Sequence, residues 1–315
     1  MNLSFTLSIL VNSCDSYEDC WEPFFFFFLK YGGGLTKLPI VLNTETKGFQ
    51  YDGLNIVTSK PGRVEWGKRY RNSLCKINTK YVLVMLDDFF IREDVDYEQI
   101  EKCIEYMESN KHIGAFSFDP IGKDKYLSKK YKNFCLMPRF TPWRCNTQAT
   151  IWRKDVLLKA ILNVENPWEW EKYGSQRNNY ILKDVYIFTL LHHTKMPINY
   201  GLSKISDFSI IQGKWLRSDV EPLFNEHDIK IDLSIRGFAD EKTYIDSSGD
   251  SYKRKRLLKR IFSFFYNPFR LHFAERKCLK SENPEDKKYL TLVIAPIKRS
   301  KRDSNWNKYD YKNNQ

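Results

Sequence analysis

The 315-residue sequence predicts an α/β protein, an open twisted sheet flanked by helices, with a basic helical appendage at its C-terminal end. Three observations carry this expectation. Strand-like and helix-like segments alternate through the first 120 residues, which is the rhythm of parallel β-α-β units. The run Tyr81-Val-Leu-Val-Met-Leu86 has no polar break, the pattern of a strand buried on both faces, and it ends in two adjacent aspartates, Asp87 and Asp88. The charge is also segregated. Residues 1–250 hold 33 basic and 33 acidic side chains, whereas 251–280 hold ten basic and one acidic. The net charge of +12 therefore belongs to the end of the chain. A neutral body argues against nucleic-acid binding there and for a local anionic partner near the end.

The elements follow in order. Leu3 to Val11 reads as the first strand, and Asn12 to Tyr17 as a polar turn. Glu18 to Lys30 reads as a helix carrying Trp21 and a phenylalanine run, broken by Gly32-Gly-Gly34. Leu38 to Leu42 is a second strand and Leu54 to Val57 a third. Arg63 to Asn78 has helical spacing at Val64, Leu74 and Ile77, and leads into the Tyr81–Leu86 strand. Tyr97 to Ser109 reads as a helix and Ile113 to Phe118 as a strand. Beyond residue 120 the pattern loosens. Lys123 to Lys132 reads as a loop, Phe134 to Phe140 and Asn146 to Trp152 as strands, and Asp155 to Leu162 as a helix capped by Asp155. Short strands follow around Ile205–Ile211, before Gly213-Lys-Trp215. There is no internal repeat and no glycine-rich phosphate fingerprint.

A buried strand ending in two carboxylates puts two negative charges at the carboxyl edge of a sheet, where open α/β folds bind ligands. Adjacent carboxylates repel unless a cation sits beside them. A divalent metal is the simplest occupant, because it takes oxygen ligands and bridges to substrate phosphates. An acidic turn or a helix cap would use the same residue types.

The chain carries an ordered set of motifs: a strand, Ser13-Cys-Asp15, a helix with Trp21, a strand ending in Thr44, a helix opening Trp66-Gly-Lys-Arg69, and Leu86-Asp-Asp-Phe-Phe90. This set resembles bacterial glycosyltransferases of the GT-A fold, especially those that build capsular and lipopolysaccharide repeat units. Downstream, Gln148-Ala-Thr-Ile-Trp152, Asn166-Pro-Trp-Glu-Trp-Glu171 and Gly174-Ser175 resemble acceptor-side motifs of that group. The resemblance spans roughly residues 3–237. It departs from the family at the metal motif, where the usual Asp-x-Asp is Asp-Asp-Phe, so either aspartate qualifies as the metal ligand.

What the resemblance implies can be placed residue by residue. The donor is a nucleotide-diphosphate sugar, taken as a UDP-sugar. Mn2+ or Mg2+ at Asp87 or Asp88 would neutralise the charge that develops on the leaving diphosphate. Ser13, Asp15 and Thr44 would contact the nucleoside. Lys68, Arg69 and the later Lys214 would meet the diphosphate as charge-assisted donors. His192 or His193 is a candidate for a further metal ligand. An inverting transfer needs a general base for the acceptor hydroxyl, and Glu169 and Glu171 are the candidates. On an extended segment both would point to one side; on a helix they would diverge and only one would reach the site.

Lys253 to Tyr266 mixes basic residues with Leu257, Leu258, Ile261, Phe264 and Phe265 at three- and four-residue spacing. That is the signature of an interfacial amphipathic helix on anionic lipid, and it suits a lipid-linked acceptor. The expected organisation is a catalytic body over 1–250, with a nucleotide-sugar half over 1–120 and an acceptor half over 121–250. A membrane-associating appendage over 251–297 and a disordered tail over 298–315 follow. Seven cysteines without a C-x-x-C pair fit a reducing compartment. The apolar N-terminus lacks a basic n-region, so no signal peptide is expected, and no run reaches the roughly 20 apolar residues of a membrane span. The expected location is cytoplasmic, at the inner face of the cell membrane. Two other readings compete. One is a nucleotidyltransferase that makes sugar nucleotides, which would place a glycine-rich basic loop after strand one, where this chain has Asn12-Ser-Cys-Asp-Ser. The other is a non-catalytic membrane-surface scaffold of the same fold.

Overall fold

The structure is a computed structural model. It describes residues 3, 6–121, 124, 126–201, 209–240 and 268–302, with the side chains of 268–273 left aside. The basic helix expected over 253–266 and residues 303–315 lie outside these residues.

The first half alternates as the sequence predicts. Helix α1 (Trp21–Tyr31) lies between strands β1 (Leu7–Asn12) and β2 (Ile40–Asn43), β3 (Ile56–Ser59) follows β2 without a helix, and helix α2 (Trp66–Lys76) leads into β4 (Tyr81–Leu86). Helix α3 (Tyr97–Ser109) leads into β5 (Ile113–Ser117). Asp96 caps α3 by accepting from Gln99 N at 2.9 Å. Strands β6 (Phe134–Leu136) and β7 (Thr150–Arg153) precede α4 (Lys154–Ala160). The cap position of α4 is Arg153, so Asp155 falls in the first turn, where its charge favours the positive helix end.

The sheet has eight strands in the order β3-β2-β1-β4-β7-β5-β8-β6, where β8 is Tyr186–Leu190. β1 to β4 are mutually parallel, β7 runs antiparallel between β4 and β5, β8 is parallel to β5, and β6 closes the edge antiparallel. The fold is a mixed α/β one, an eight-stranded sheet flanked by helices. The chain steps from β1 out to β2 and β3, then returns to lay β4 on the other side of β1. The strand order thus reverses between β1 and β4, and the crevice outside their carboxyl ends is the position where such sheets take ligands.

Each sheet face has its own core. On one, Phe24, Phe25, Phe27 and Phe28 of α1 pack with Ile9, Val11, Leu83 and Met85. Fully burying one such phenylalanine contributes about 1.5–3 kcal/mol, so the phenylalanine run is core. On the other, Tyr70 and Leu74 of α2 meet Leu10, Val82 and Val84. This second core extends to the C-terminal helices.

Those helices are α8 (Pro268–Lys280), α9 (Pro284–Tyr289), a π turn (Leu290–Ile294) and α10 (Ala295–Arg302); they follow α5 (Pro167–Glu169), a first π turn (Trp170–Gly174), α6 (Ser175–Ile181) and α7 (Arg217–Glu226). Leu292, Val293, Ile294 and Ile297 are buried in the same cluster as Trp152, Trp170 and Tyr173. Residues 290–297 therefore pack on the body. Among the described residues no helix is long and apolar enough to cross a membrane.

Candidate functional site

The site is built outward from the end of β4. Asp87 is buried, and its Oδ2 accepts from Ser13 Oγ and from Trp21 Nε1 at 3.1 Å. Trp21 Nε1 also donates to Ser13 Oγ at 2.6 Å. One carboxylate thus ties the ends of β1 and β4 to the start of α1. Burial, then the neighbouring Asp88, pushes the Asp87 carboxyl well above the usual range, and the two donors pull it back. Asp88 is only half-buried. Burial raises its carboxyl to about 6, while Arg236 acts in the opposite direction. The pair divides into a fastened member and a member turned partly to solvent.

Ser13 and Arg69 are joined as well. Arg69 is buried and donates Nη1 to Ser13 O at 3.0 Å, and its Nη2 lies 3.6 Å from Glu45 Oε1. Its guanidinium braces α2 against the β1 and β2 ends. Lys68, beside it on α2, is half-buried.

Asp15 and Thr44 are engaged with the loop after β2. Asp15 Oδ1 accepts from the main-chain N–H groups of Glu45 at 3.0 Å, Thr46 at 3.0 Å and Lys47 at 3.1 Å. Its main-chain N–H donates to Glu45 Oε2 at 2.9 Å. Burial acts to raise the Asp15 carboxyl, but these donors and the Thr46 hydroxyl hold it down at about 2. Thr44 has no exposed surface and donates its hydroxyl to Lys47 O at 2.6 Å. Ser13, Asp15, Thr44, Arg69, Asp87 and Asp88 thus gather at one sheet edge, with Glu45 linking Arg69 to Asp15.

Glu169 and Glu171 separate. The segment is helical, so the extended alternative does not occur. Glu169 closes a capping box with Asn166, accepting from Asn166 N at 3.1 Å while Asn166 Oδ1 accepts from Glu169 N at 2.9 Å. Glu171 accepts from Thr147 N at 3.0 Å and Thr147 Oγ1 at 2.7 Å. Burial raises its carboxyl above the ordinary value, against the two Thr147 donors. Thr147 lies just before β7, and β7 pairs Thr150 with Val84 of the antiparallel β4. Continued toward Thr147, that register leads to the edge that holds Asp87 and Asp88. Trp170 is buried and donates Nε1 to Asn146 O at 3.2 Å, whereas Trp168 is 76% exposed.

The late hairpin comes to the same region. β9 (Ile210–Ile211) pairs with β10 (Lys214–Trp215), and Lys214 is exposed. The residue that fixes this hairpin is Arg236, which the sequence reading did not single out. Arg236 donates Nε to Asp19 Oδ2 at 3.0 Å, Nη1 to Gly213 O at 3.0 Å and Nη2 to Ser16 O at 3.0 Å. Its guanidinium stacks 4.2 Å from the Tyr17 ring centroid. Burial, then Asp88, raises the Tyr17 hydroxyl to about 12. Arg236 and Asp19 stand 217 residues apart, so no local pattern could have paired them. His192 is placed away from this set, its Nδ1 3.0 Å from Asp124 Oδ1 on the surface.

Among the described residues no group of three or more His, Cys, Asp or Glu is arranged to hold a metal. The donor set present is the Asp87–Asp88 pair. That set suits Mg2+ or Mn2+ held by one or two carboxylates and completed by substrate phosphates. Part of the rise at the Asp87 carboxyl comes from Asp88 beside it, a like-charge contact that a cation would relieve.

No family model matches the chain, and no curated protein matches it in sequence. Solved structures align with the chain at low identity and low TM-score. S. aureus TarS 1–349 in complex with UDP aligns over 94% of this chain and 91% of its own, with 12% identity and a TM-score of 0.41. The longer S. aureus TarS aligns over 60% of this chain, with 14% identity and a TM-score of 0.40, and this chain spans only 36% of its length. Glucosyl-3-phosphoglycerate synthase from Mycobacterium tuberculosis in complex with UDP aligns over 62% of this chain and 73% of its own, with 12% identity and a TM-score of 0.37.

Proposed function

We propose that the protein is a glycosyltransferase that moves a sugar from a UDP-sugar to a glycan acceptor carried on a lipid, in the synthesis of a cell-surface polysaccharide. The observation that carries this reading is the junction at the switch point of the sheet. There Asp87 is fastened by Ser13 and Trp21, Arg69 braces the same strand end, and Asp88 is left half-exposed beside them.

In this reading Asp88, with Asp87 behind it, holds Mn2+ or Mg2+, which supplies neutralisation of the leaving diphosphate. The nucleoside lies over the Ser13–Asp15 turn and the Thr44–Lys47 loop, where Asp15 acts by shaping the loop. Lys68 and Lys214 face the diphosphate, and Arg69 sets the main chain of Ser13. For an inverting transfer the acceptor hydroxyl oxygen forms its bond to the anomeric carbon as the bond to the diphosphate breaks. The hydroxyl proton passes to a glutamate carboxylate, and UDP departs. Of the two glutamates, Glu171 is the better placed, because Glu169 is committed to its cap. The nucleotidyltransferase reading is disfavoured by the turn after β1, a 3-10 turn over Asp15–Cys20 with no glycine in it.

The catalytic body would span 1–250, with the helices after Pro284 packed on it, and residues 251–280 would dock the enzyme on anionic lipid at the inner face of the membrane. Liposome flotation with and without 251–280 tests the docking; equal flotation of both would remove that segment as the anchor. The transferase reading is tested with a panel of nucleotide sugars, each with Mn2+ or Mg2+, scored for thermal stabilisation and hydrolysis. A metal-dependent response to one or more UDP-sugars is expected, and no response to any donor would overturn the reading.

A further inference from the structure

The turn that carries Glu171 is gripped from outside by the C-terminal helices. Glu285, at the start of α9, accepts from Tyr173 Oη at 2.6 Å and from Lys172 Nζ at 2.5 Å. One turn further along α9, Lys288 Nζ lies 3.1 Å from Glu169 Oε1. These contacts fall on both sides of Glu171. Beneath them the two π turns belong to one core, with Trp170 and Tyr173 of the first packed among Leu292, Val293 and Ile294 of the second. Below those, Arg177, with no exposed surface, donates Nη1 to Leu292 O at 2.8 Å and Nη2 to Ala160 O at 2.8 Å and Glu165 Oε2 at 2.9 Å. Glu165 O in turn accepts from Gly67 N at 2.9 Å, at the opening of α2.

We propose that α9 and the π turn after it form a clamp that positions the Glu171 turn, making Glu285 and Lys288 positioning residues of the acceptor side. Its functional meaning rests on the transferase reading above. A π turn is rare, and such turns recur at functional sites. Here the turn bearing the candidate base is held, besides its bonds to Asn146 and Thr147, by side chains more than 100 residues away. The Lys172–Glu285 pair is about half exposed, at 54% and 57%, and Lys288 is 49% exposed although its partner Glu169 is only 14% exposed. Pairs this exposed add little to global stability. What they fix is position, and a small displacement of a catalytic group is costly to rate.

The double variant Glu285→Gln/Lys288→Gln tests this in the full-length protein. Hydrogen exchange over 167–177 should rise about tenfold while β1 to β4 keep their protection. The kcat for hydrolysis of the UDP-sugar that best stabilises the unaltered protein should fall about tenfold with KM unchanged. The charge-swapped pair Glu285→Lys/Lys172→Glu should recover most of the rate. Unchanged exchange over 167–177 would overturn the clamp. So would unchanged kcat with loosened exchange, or a rise in donor KM that matches the fall in kcat. If the unaltered protein binds and hydrolyses no nucleotide sugar, the transferase reading fails on its own, and the exchange experiment still decides whether the clamp exists.

Discussion

Trp21 donates its indole N–H to the buried carboxylate of Asp87 across 3.1 Å, and that bond couples the first helix of the chain to the fourth strand. Trp21→Phe keeps the ring in the core but removes a donor from a buried carboxylate. The variant should lose about 1–3 kcal/mol in urea unfolding and bind UDP-sugar more weakly, as read by titration. Unchanged stability would mean that Ser13 alone satisfies Asp87.

Asp88→Asn separates the proposed metal binding from folding. The Asp88 carboxyl is raised from an ordinary 3.8 to about 6, so the folded protein binds its proton more tightly than the unfolded chain does. That contribution to stability is fully present below 3.8 and is lost as pH rises through 6. At neutral pH Asp88→Asn should therefore be more stable than the unaltered protein, on the order of 1 kcal/mol, while losing metal-dependent stabilisation by UDP-sugar. Thermal unfolding with and without Mn2+ and donor reads both effects.

Glu171→Gln should reduce turnover by roughly 10²–10⁴-fold with donor affinity retained, because only proton removal is lost. Burial raises the Glu171 carboxyl above 4.5, so kcat should climb with pH along a limb that lies above that value. Glu169→Gln should leave that limb in place. A pH–rate profile for the three proteins distinguishes them.

Asp15 has the opposite sign. Its carboxyl is depressed from 3.8 to about 2, so its contribution is fully present above 3.8 and is lost as pH falls toward 2. Asp15→Ala leaves three main-chain N–H groups of the 45–47 loop without their acceptor. It should cost about 1–3 kcal/mol at neutral pH, a difference that shrinks in acid. Urea midpoints across the acid range measure it.

Gly67→Ala should be among the most damaging small changes. A Cβ there would sit 1.9 Å from Leu162 O and 3.1 Å from Glu165 O, both main chain. A cost of about 3 kcal/mol in unfolding is expected, because backbone on both sides cannot yield as a side chain would.

How much of this was legible in the sequence depended on range. The Tyr81–Leu86 strand and the Tyr97–Ser109 helix have the bounds that their apolar spacing predicts, since each is specified within its own span. The helix after β1 begins at Trp21 rather than Glu18, because Asp15 to Cys20 wind as a tighter 3-10 turn whose aspartate faces the β2 loop. The strand expected over 134–140 stops at Leu136, and Phe140 adopts a φ of 69°, a conformation that ends any strand. The aspartate pair was visible as a charge problem, but which member is fastened followed from Ser13 and Trp21, more than 60 residues away. Arg236 had no local signal, because Ser16 and Asp19, its partners besides Gly213, lie at the other end of the chain.

The fastening of Asp87 also bears on how the protein could be watched as it forms. The three members of that knot, Ser13, Trp21 and Asp87, come from the ends of β1 and β4 and the start of α1, so the crevice at these strand ends exists only when all of them have come together. A donor nucleotide would then bind the finished molecule and ignore partly assembled ones. It should raise the unfolding midpoint in proportion to the logarithm of its concentration, which makes a fluorescent nucleotide a direct gauge of the folded fraction.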